Sequence, residues 1–152
     1  MRVEKDFEEF VQLLNKHEVK YLIVGAYSLS LYTEPRNTGD IDFFIERTQI
    51  NAEKISNVLK EFGFDDLEIS ISDLMSEDKI IQLGYPPVRI DIMTSISGVE
   101  FSEAYPDRKK HKFGKEEAYF ISKELLIVNK RASNRKKDLA DIEAILRTEH
   151  KE

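Results

Sequence analysis

The stretch Thr38-Gly39-Asp40-Ile41-Asp42-Phe43-Phe44 decides how the rest of the chain is read. On an extended strand, side chains two apart share a face, so Asp40 and Asp42 project together while Ile41 and Phe43 project oppositely. Aspartate is depleted in strands, and two like charges on one face repel. At about 4 Å and an effective dielectric of about 20, the pair costs on the order of 4 kcal/mol if uncompensated. A cation at that face is the simplest compensation.

A third carboxylate repeats the pattern. In Val88-Arg89-Ile90-Asp91-Ile92-Met93 the apolar Val88, Ile90 and Ile92 share one face and Asp91 takes the other. Three strand carboxylates without His or Cys partners make a hard oxygen site, suited to Mg²⁺ or Mn²⁺ rather than zinc. Such a site can hold two ions about 3.5–4 Å apart for an in-line displacement at phosphorus. A lone Asp-x-Asp is more often a pair of turn-capping acids where a strand begins. The third Asp and an upstream Gly25 at a strand end favour the metal reading.

Outward from these strands, Phe7, Phe10, Val11 and Leu14 recur at helical spacing and predict an opening amphipathic helix. Tyr21–Val24 reads as a buried strand ending at Gly25, and Ala26–Tyr32 as a short helix closed by Glu34-Pro35. Ile41–Glu46 is a strand and Asn51–Phe62 a helix ended by Gly63. Strands are expected at Leu67–Ser72, Lys79–Leu83, Val88–Met93 and Glu116–Ile121, with a short helix at Phe101–Tyr105. Helices at Lys123–Arg131 and Asn134–Leu146 close the chain, with Ser122 and Ser133 as N-caps. The expected architecture is α/β (α+β), a mixed sheet flanked by helices. It forms one domain over residues 1–152, with a core of about 21–121 and a C-terminal helical part of about 122–148.

Composition narrows the function classes. The 152 residues are enough to bury a core without disulfides, and the chain has no cysteine for thiol catalysis or Cys-type zinc sites. A 41% hydrophobic and 34% charged balance is that of a globular protein, with no apolar run long enough to span a bilayer and no signal-peptide pattern at Met1. A cytoplasmic location without membrane association is expected. The net charge of −6 argues against a general nucleic-acid coat protein.

The Gly25-Ala26 pair, thirteen intervening residues, and then Asp40-Ile41-Asp42-Phe43 resemble the signature of the nucleotidyltransferase superfamily, the polymerase-beta-like fold. Arg36-Asn37-Thr38 before the acids, and the late Lys130…Lys137-Asp138-Leu139-Ala140-Asp141, are more specifically similar to AbiEii-like and related bacterial and archaeal members. The resemblance covers about Tyr21 to Leu146. It implies transfer of a nucleoside monophosphate from an NTP, ATP foremost, to an acceptor. Asp40, Asp42 and Asp91 would hold Mg²⁺ or Mn²⁺, with Asp91 as candidate general base. Gly25 and Ala26 would offer backbone N–H groups to phosphates, as helix starts do, and Ser28 a hydroxyl. Arg36, Thr38, Lys130 and Lys137 complete the implied nucleotide contacts. A departure is Ala26 where the superfamily has Gly or Ser, which removes a hydroxyl contact there.

The resemblance also implies tRNA or a partner protein as acceptor in a toxin–antitoxin or defence setting, with a small-molecule acceptor open. A second copy or a partner would complete the site of so short a chain. The competing reading is a non-catalytic nucleotide- or partner-binding module of the same fold. Arg135, Lys136 and Lys137 at a helix start oppose its dipole; they mark either an anion site or a solvated end paired with Asp138 and Asp141. The run Arg108–Lys112 reads as an exposed turn, or as a guide for RNA or an acidic partner. His17, His111 and His150 lack ligand spacing and read as surface residues.

Overall fold

A computed structural model describes residues 3–34, 39–64 and 69–151. Helix α1 (Lys5–Lys16) leads into β1 (Tyr21–Val24), α2 (Gly25–Tyr32), β2 (Ile41–Ile45) and α3 (Gln49–Phe62). Then come α4 (Ile71–Met75), β3 (Ile80–Tyr85), β4 (Val88–Met93), α5 (Phe101–Ala104), β5 (Lys109–Phe113) and β6 (Glu116–Phe120). Helices α6 (Lys123–Ser133) and α7 (Lys136–Lys151) follow. The strands form one mixed sheet in the order β3-β4-β2-β1-β6-β5. β1 pairs antiparallel with β2, and β2 pairs parallel with β4.

Strand alternation sorts side chains into two cores. Tyr21, Ile23, Ile41, Phe43, Ile45, Ile90 and Ile92 enter the first, under α1 and α3. Leu22, Val24 and Phe44 enter the second, which α5, α6 and α7 cover with Phe101, Leu126 and Ile145. Asp42 and Asp91 fall on this second face, because each is one residue out of phase with the isoleucines around it. Among the described residues, no helix is long and apolar enough to cross a membrane.

Three expectations need correction. Of the strand expected at Leu67–Ser72, residues 67 and 68 lie outside the described residues. The remainder leads into α4, where Ser70 accepts from Asp73 N–H and the Asp73 carboxylate accepts from Ser70 N–H, a capping box that starts a helix. The basic run is not a turn: Lys109–Phe113 is the edge strand β5, paired antiparallel with β6. Its exposed lysines suit an edge, because charge there discourages pairing with another chain. Arg108 just before it packs its guanidinium over Tyr105, 4.0 Å from the ring centroid. Finally, Ser133 does not cap the last helix. It closes α6, donating to Asn129 O at 3.1 Å, and Asn134 turns the chain in the left-handed region at φ 52°.

Asn51 in the first turn of α3 is buried and joins three segments. Its side chain accepts from Lys20 N–H at 2.8 Å and donates to the carbonyls of Lys20 and Glu46 at 3.1 and 3.0 Å. Asn51→Leu keeps the volume but strands these backbone groups. Chemical denaturation should show a loss of about 1–3 kcal/mol, while a solvent-facing change such as Glu53→Gln should leave stability within about 0.5 kcal/mol.

Candidate active site

β1 ends where α2 begins, at Gly25, and the antiparallel register sets Val24 opposite Asp42. Gly25 holds φ at +68°, a conformation that a side chain disfavours, and an added Cβ would collide with the Asp42 carboxylate. On the other side of β2, the parallel register places Asp42 directly beside Asp91. Three strands and one helix start therefore converge on a single carboxylate.

The charges respond as the geometry dictates. Burial pushes the Asp42 carboxyl up to about 7, and the neighbouring charges of Asp91 and Asp40 and a hydrogen bond with Asp91 push the same way. Arg89 stands two residues before Asp91, and so on its face of β4. Its Nε and Nη2 donate to Asp91 Oδ1 and Oδ2 at 2.9 and 3.1 Å, and Nη2 also lies 2.7 Å from Asp40 Oδ2. Among the described residues, no three carboxylate, His or Cys side chains gather closely enough to ligate an ion as they stand. The donor set of Asp40, Asp42 and Asp91 is nonetheless all hard oxygen, and it could hold Mg²⁺ or Mn²⁺ once the guanidinium yields.

A cleft of about 520 Å³ runs from Gly25 and Asp42 to the C-terminal helices, which contribute Asn129, Lys130, Arg135 and Asp138. Lys130 is buried, with Nζ 2.9 Å from Asp141 Oδ2 and 3.8 Å from Asp138 Oδ1. Asp138 is buried as well, and Arg135 grips it through Nε and Nη2 at 2.8 and 3.1 Å. Those side-chain bonds hold the Asp138 carboxyl below the usual carboxylate range, helped by the Arg135 N–H that it caps at the start of α7.

These strands, the helix start and the cleft meet a family already described. Its model, a nucleotidyltransferase of unknown function (DUF6036), matches residues 2–147. The chain belongs to this nucleotidyltransferase family. No curated protein matches it by sequence. Among solved structures it is similar to TM1012 of Thermotoga maritima, provisionally classed as a nucleotidyltransferase. That match has a TM-score of 0.60 at 14% identity and covers 99% of this chain and 97% of the other. It is also similar to a lincosamide antibiotic adenylyltransferase, LnuA, solved with lincomycin bound, with a TM-score of 0.55 at 14% identity over 96% and 98% of the two chains. At such identities the structural matches establish a nucleotidyltransferase fold.

Within this nucleotidyltransferase the predicted site residues fall into three groups. Asp40, Asp42, Asp91, Gly25 and Ala26 come together at the sheet. Lys130 joins them across the cleft, whereas Lys137 is exposed on α7 and does not line it. Ser28 is buried and donates to Gly25 O at 2.8 Å, so its hydroxyl braces the turn. Arg36 and Thr38 lie outside the described residues. Sequence reasoning passed over Arg89, although the period-two rule applied to Asp40 and Asp42 puts it beside Asp91. It also left Arg135 open between an anion site and a helix end.

The raised Asp42 pKa carries a stability consequence. The folded state binds a proton that the unfolded state has released, so the contribution of Asp42 to stability is fully present below about pH 4 and is lost as pH rises towards 7. The rise from 3.8 to about 7 corresponds to at most about 4 kcal/mol. Asp42→Asn, which mimics the neutral acid, should therefore melt higher than the parent at pH 8 in EDTA and converge with it near pH 4. Equal melting curves at pH 8 would show that Asp42 is not held against its charge.

Proposed function

We propose that this nucleotidyltransferase moves a nucleoside monophosphate, AMP foremost, from an NTP to a hydroxyl-bearing acceptor, using Mg²⁺ or Mn²⁺ held by Asp40, Asp42 and Asp91. The observation that carries this reading is the register placing Asp42 beside Asp91 and against Gly25, at one end of a cleft walled by α6 and α7. The acceptor oxygen would attack the α-phosphorus, the bond to the bridging oxygen would break, and pyrophosphate would leave. The ion, when bound, supplies charge neutralisation at the phosphates. The chain's own groups do the rest. The N–H groups of Gly25 and Ala26 at the start of α2 would meet phosphate oxygens. Arg135 and Lys130 would offset negative charge from the opposite wall, and a site carboxylate would take the acceptor proton. Asp91 was the expected base. Its two oxygens are engaged by Arg89, so Asp91 would take that proton once the guanidinium has moved aside.

For the acceptor, a small hydroxylated molecule is the reading the geometry supports best. A hollow of about 370 Å³ adjoins the cleft and shares Asp78, Ser95 and Ile96 with it. LnuA, an antibiotic adenylyltransferase, is nearly all covered by this chain, so an enzyme of about this length can serve a small acceptor without an added domain. The net charge of −6 disfavours RNA. A tRNA or protein acceptor in a toxin–antitoxin setting, and a second copy that completes the site, are the alternatives the experiment must address. A non-catalytic module is favoured by one observation, that Arg89 pairs with both Asp40 and Asp91.

Thermal unfolding with each of the four NTPs, with and without Mg²⁺, tests the nucleotide site. A ligand at 100 times its Kd adds about 2.7 kcal/mol, a shift of roughly 5–10 °C for a chain of this length. The shift should require Mg²⁺, be largest with ATP, and disappear in Asp40→Ala/Asp42→Ala. Transfer of label from α-labelled ATP should then favour hydroxylated small molecules over tRNA. A nucleotide shift indifferent to Mg²⁺, with no label transferred to any acceptor, would favour the binding module.

A further inference from the structure

The acids of the proposed metal site already have a cation. Both oxygens of Asp91 and one of Asp40 are engaged by Arg89, at 2.9, 3.1 and 2.7 Å. The strand itself enforces this contact. Residues 89 and 91 share a face of β4, and the cross-strand neighbour of Arg89 on β3 is Gly84, which presents no side chain against the guanidinium stem. The planar fork matches a carboxylate bidentately, which a lysine could not do.

A divalent ion needs the same oxygens. A guanidinium and a doubly charged ion about 4 Å apart repel, whatever carboxylates lie between them. Binding the ion therefore means displacing Arg89 or tolerating it at a cost. A polyphosphate arriving with the ion changes the balance, because its negative charge offsets the crowding of two cations.

Building on the metal-dependent reading above, we infer that Arg89 is a positioning residue that holds Asp40 and Asp91 until metal and nucleotide arrive together, so that the ion alone binds weakly and the two ligands bind with positive coupling. Coupling of this kind is reciprocal: the ion strengthens nucleotide binding by the factor by which nucleotide strengthens ion binding. The chain would then load metal with its triphosphate rather than before it.

The test is a Mn²⁺ titration of the full chain followed by thermal unfolding, alone and with α,β-methylene-ATP, which resists cleavage at the α-phosphorus. Arg89→Gln removes the competing charge. Its Mn²⁺ midpoint without nucleotide should fall by about tenfold, and the gain from adding the analogue should shrink, set against couplings that typically run about 5–150-fold. A residue that merely supported the fold would leave the midpoint unchanged or raise it. Should the Gln variant fail to fold by circular dichroism, Arg89→Met, which keeps the aliphatic stem, gives the same readout. A folded variant with an unchanged or higher midpoint, beside a wild type that does respond to Mn²⁺, overturns the role of Arg89 and leaves the metal site standing. No response to Mn²⁺ in either protein overturns both.

Discussion

The parallel pairing of β2 with β4, in the register that sets Asp42 against Asp91, is the constraint on which the rest of the site depends. Two carboxylates at neighbouring positions of adjacent strands repel, and burial raises the penalty by removing water. The register holds because the opposite faces of the same residues' neighbours are deep in the core. Ile41, Phe43, Ile90 and Ile92 are all nearly or fully buried beneath α1 and α3. A slip of one residue would move those four side chains to the other face and drive the acids into the apolar core beneath α1 and α3, where a carboxylate has no partner. The apolar face thus holds the charged face in an arrangement that it would not adopt by itself.

The two faces of the sheet divide the work. One is packed with aromatic and aliphatic side chains, among them Phe10 against Phe43 with ring centroids 5.3 Å apart. The other carries Asp42 and Asp91 near one end and meets α6 and α7 across the cleft. The C-terminal helices bring charge of both signs, but in a fixed pairing. Lys130 is bound to Asp141, and Arg135 to Asp138. Its partners offset part of the cost of burying Lys130, whereas an unpaired lysine in that place would be expelled or neutralised. Charge of both signs can thus be kept on that wall of the cleft without the wall repelling itself.

Much of this was legible in the residues. Period two over 40–44 and 88–93 identified the acids, their face and the strands that carry them. Period 3.6 found α1 and α3 to within a few residues, and the N-cap Ser122 marked the start of α6. What escaped shows the limit of local reading. Ile69 to Ile71 has strand-like composition, but a capping box closed between Ser70 and Asp73 starts a helix there. The basic run Arg108–Lys112 looked like a turn because charge usually marks one, yet edge strands also tolerate lysines on their open side. Ser133 is a fair N-cap by type, but the left-handed Asn134 ends the preceding helix and moves the next start to Lys136.

By itself, then, the sequence determined the carboxylates, their order along the chain, and the fold family to which such an order belongs. The shared face of the carboxylates is encoded in short-range alternation, which any strand must obey, while the family was legible through the resemblance of the motifs around them. Only the tertiary structure decided which cations answer them. Arg89 bridges Asp40 and Asp91 because a strand and the residue just ahead of its neighbour lie side by side. Arg135, in the short connection between α6 and α7, lines the cleft, whereas Lys137 in the first turn of α7 does not. The Arg89–Asp91 pair follows from the period of one strand, but its reach to Asp40 depends on the pairing of strands far apart in sequence, which no local period carries.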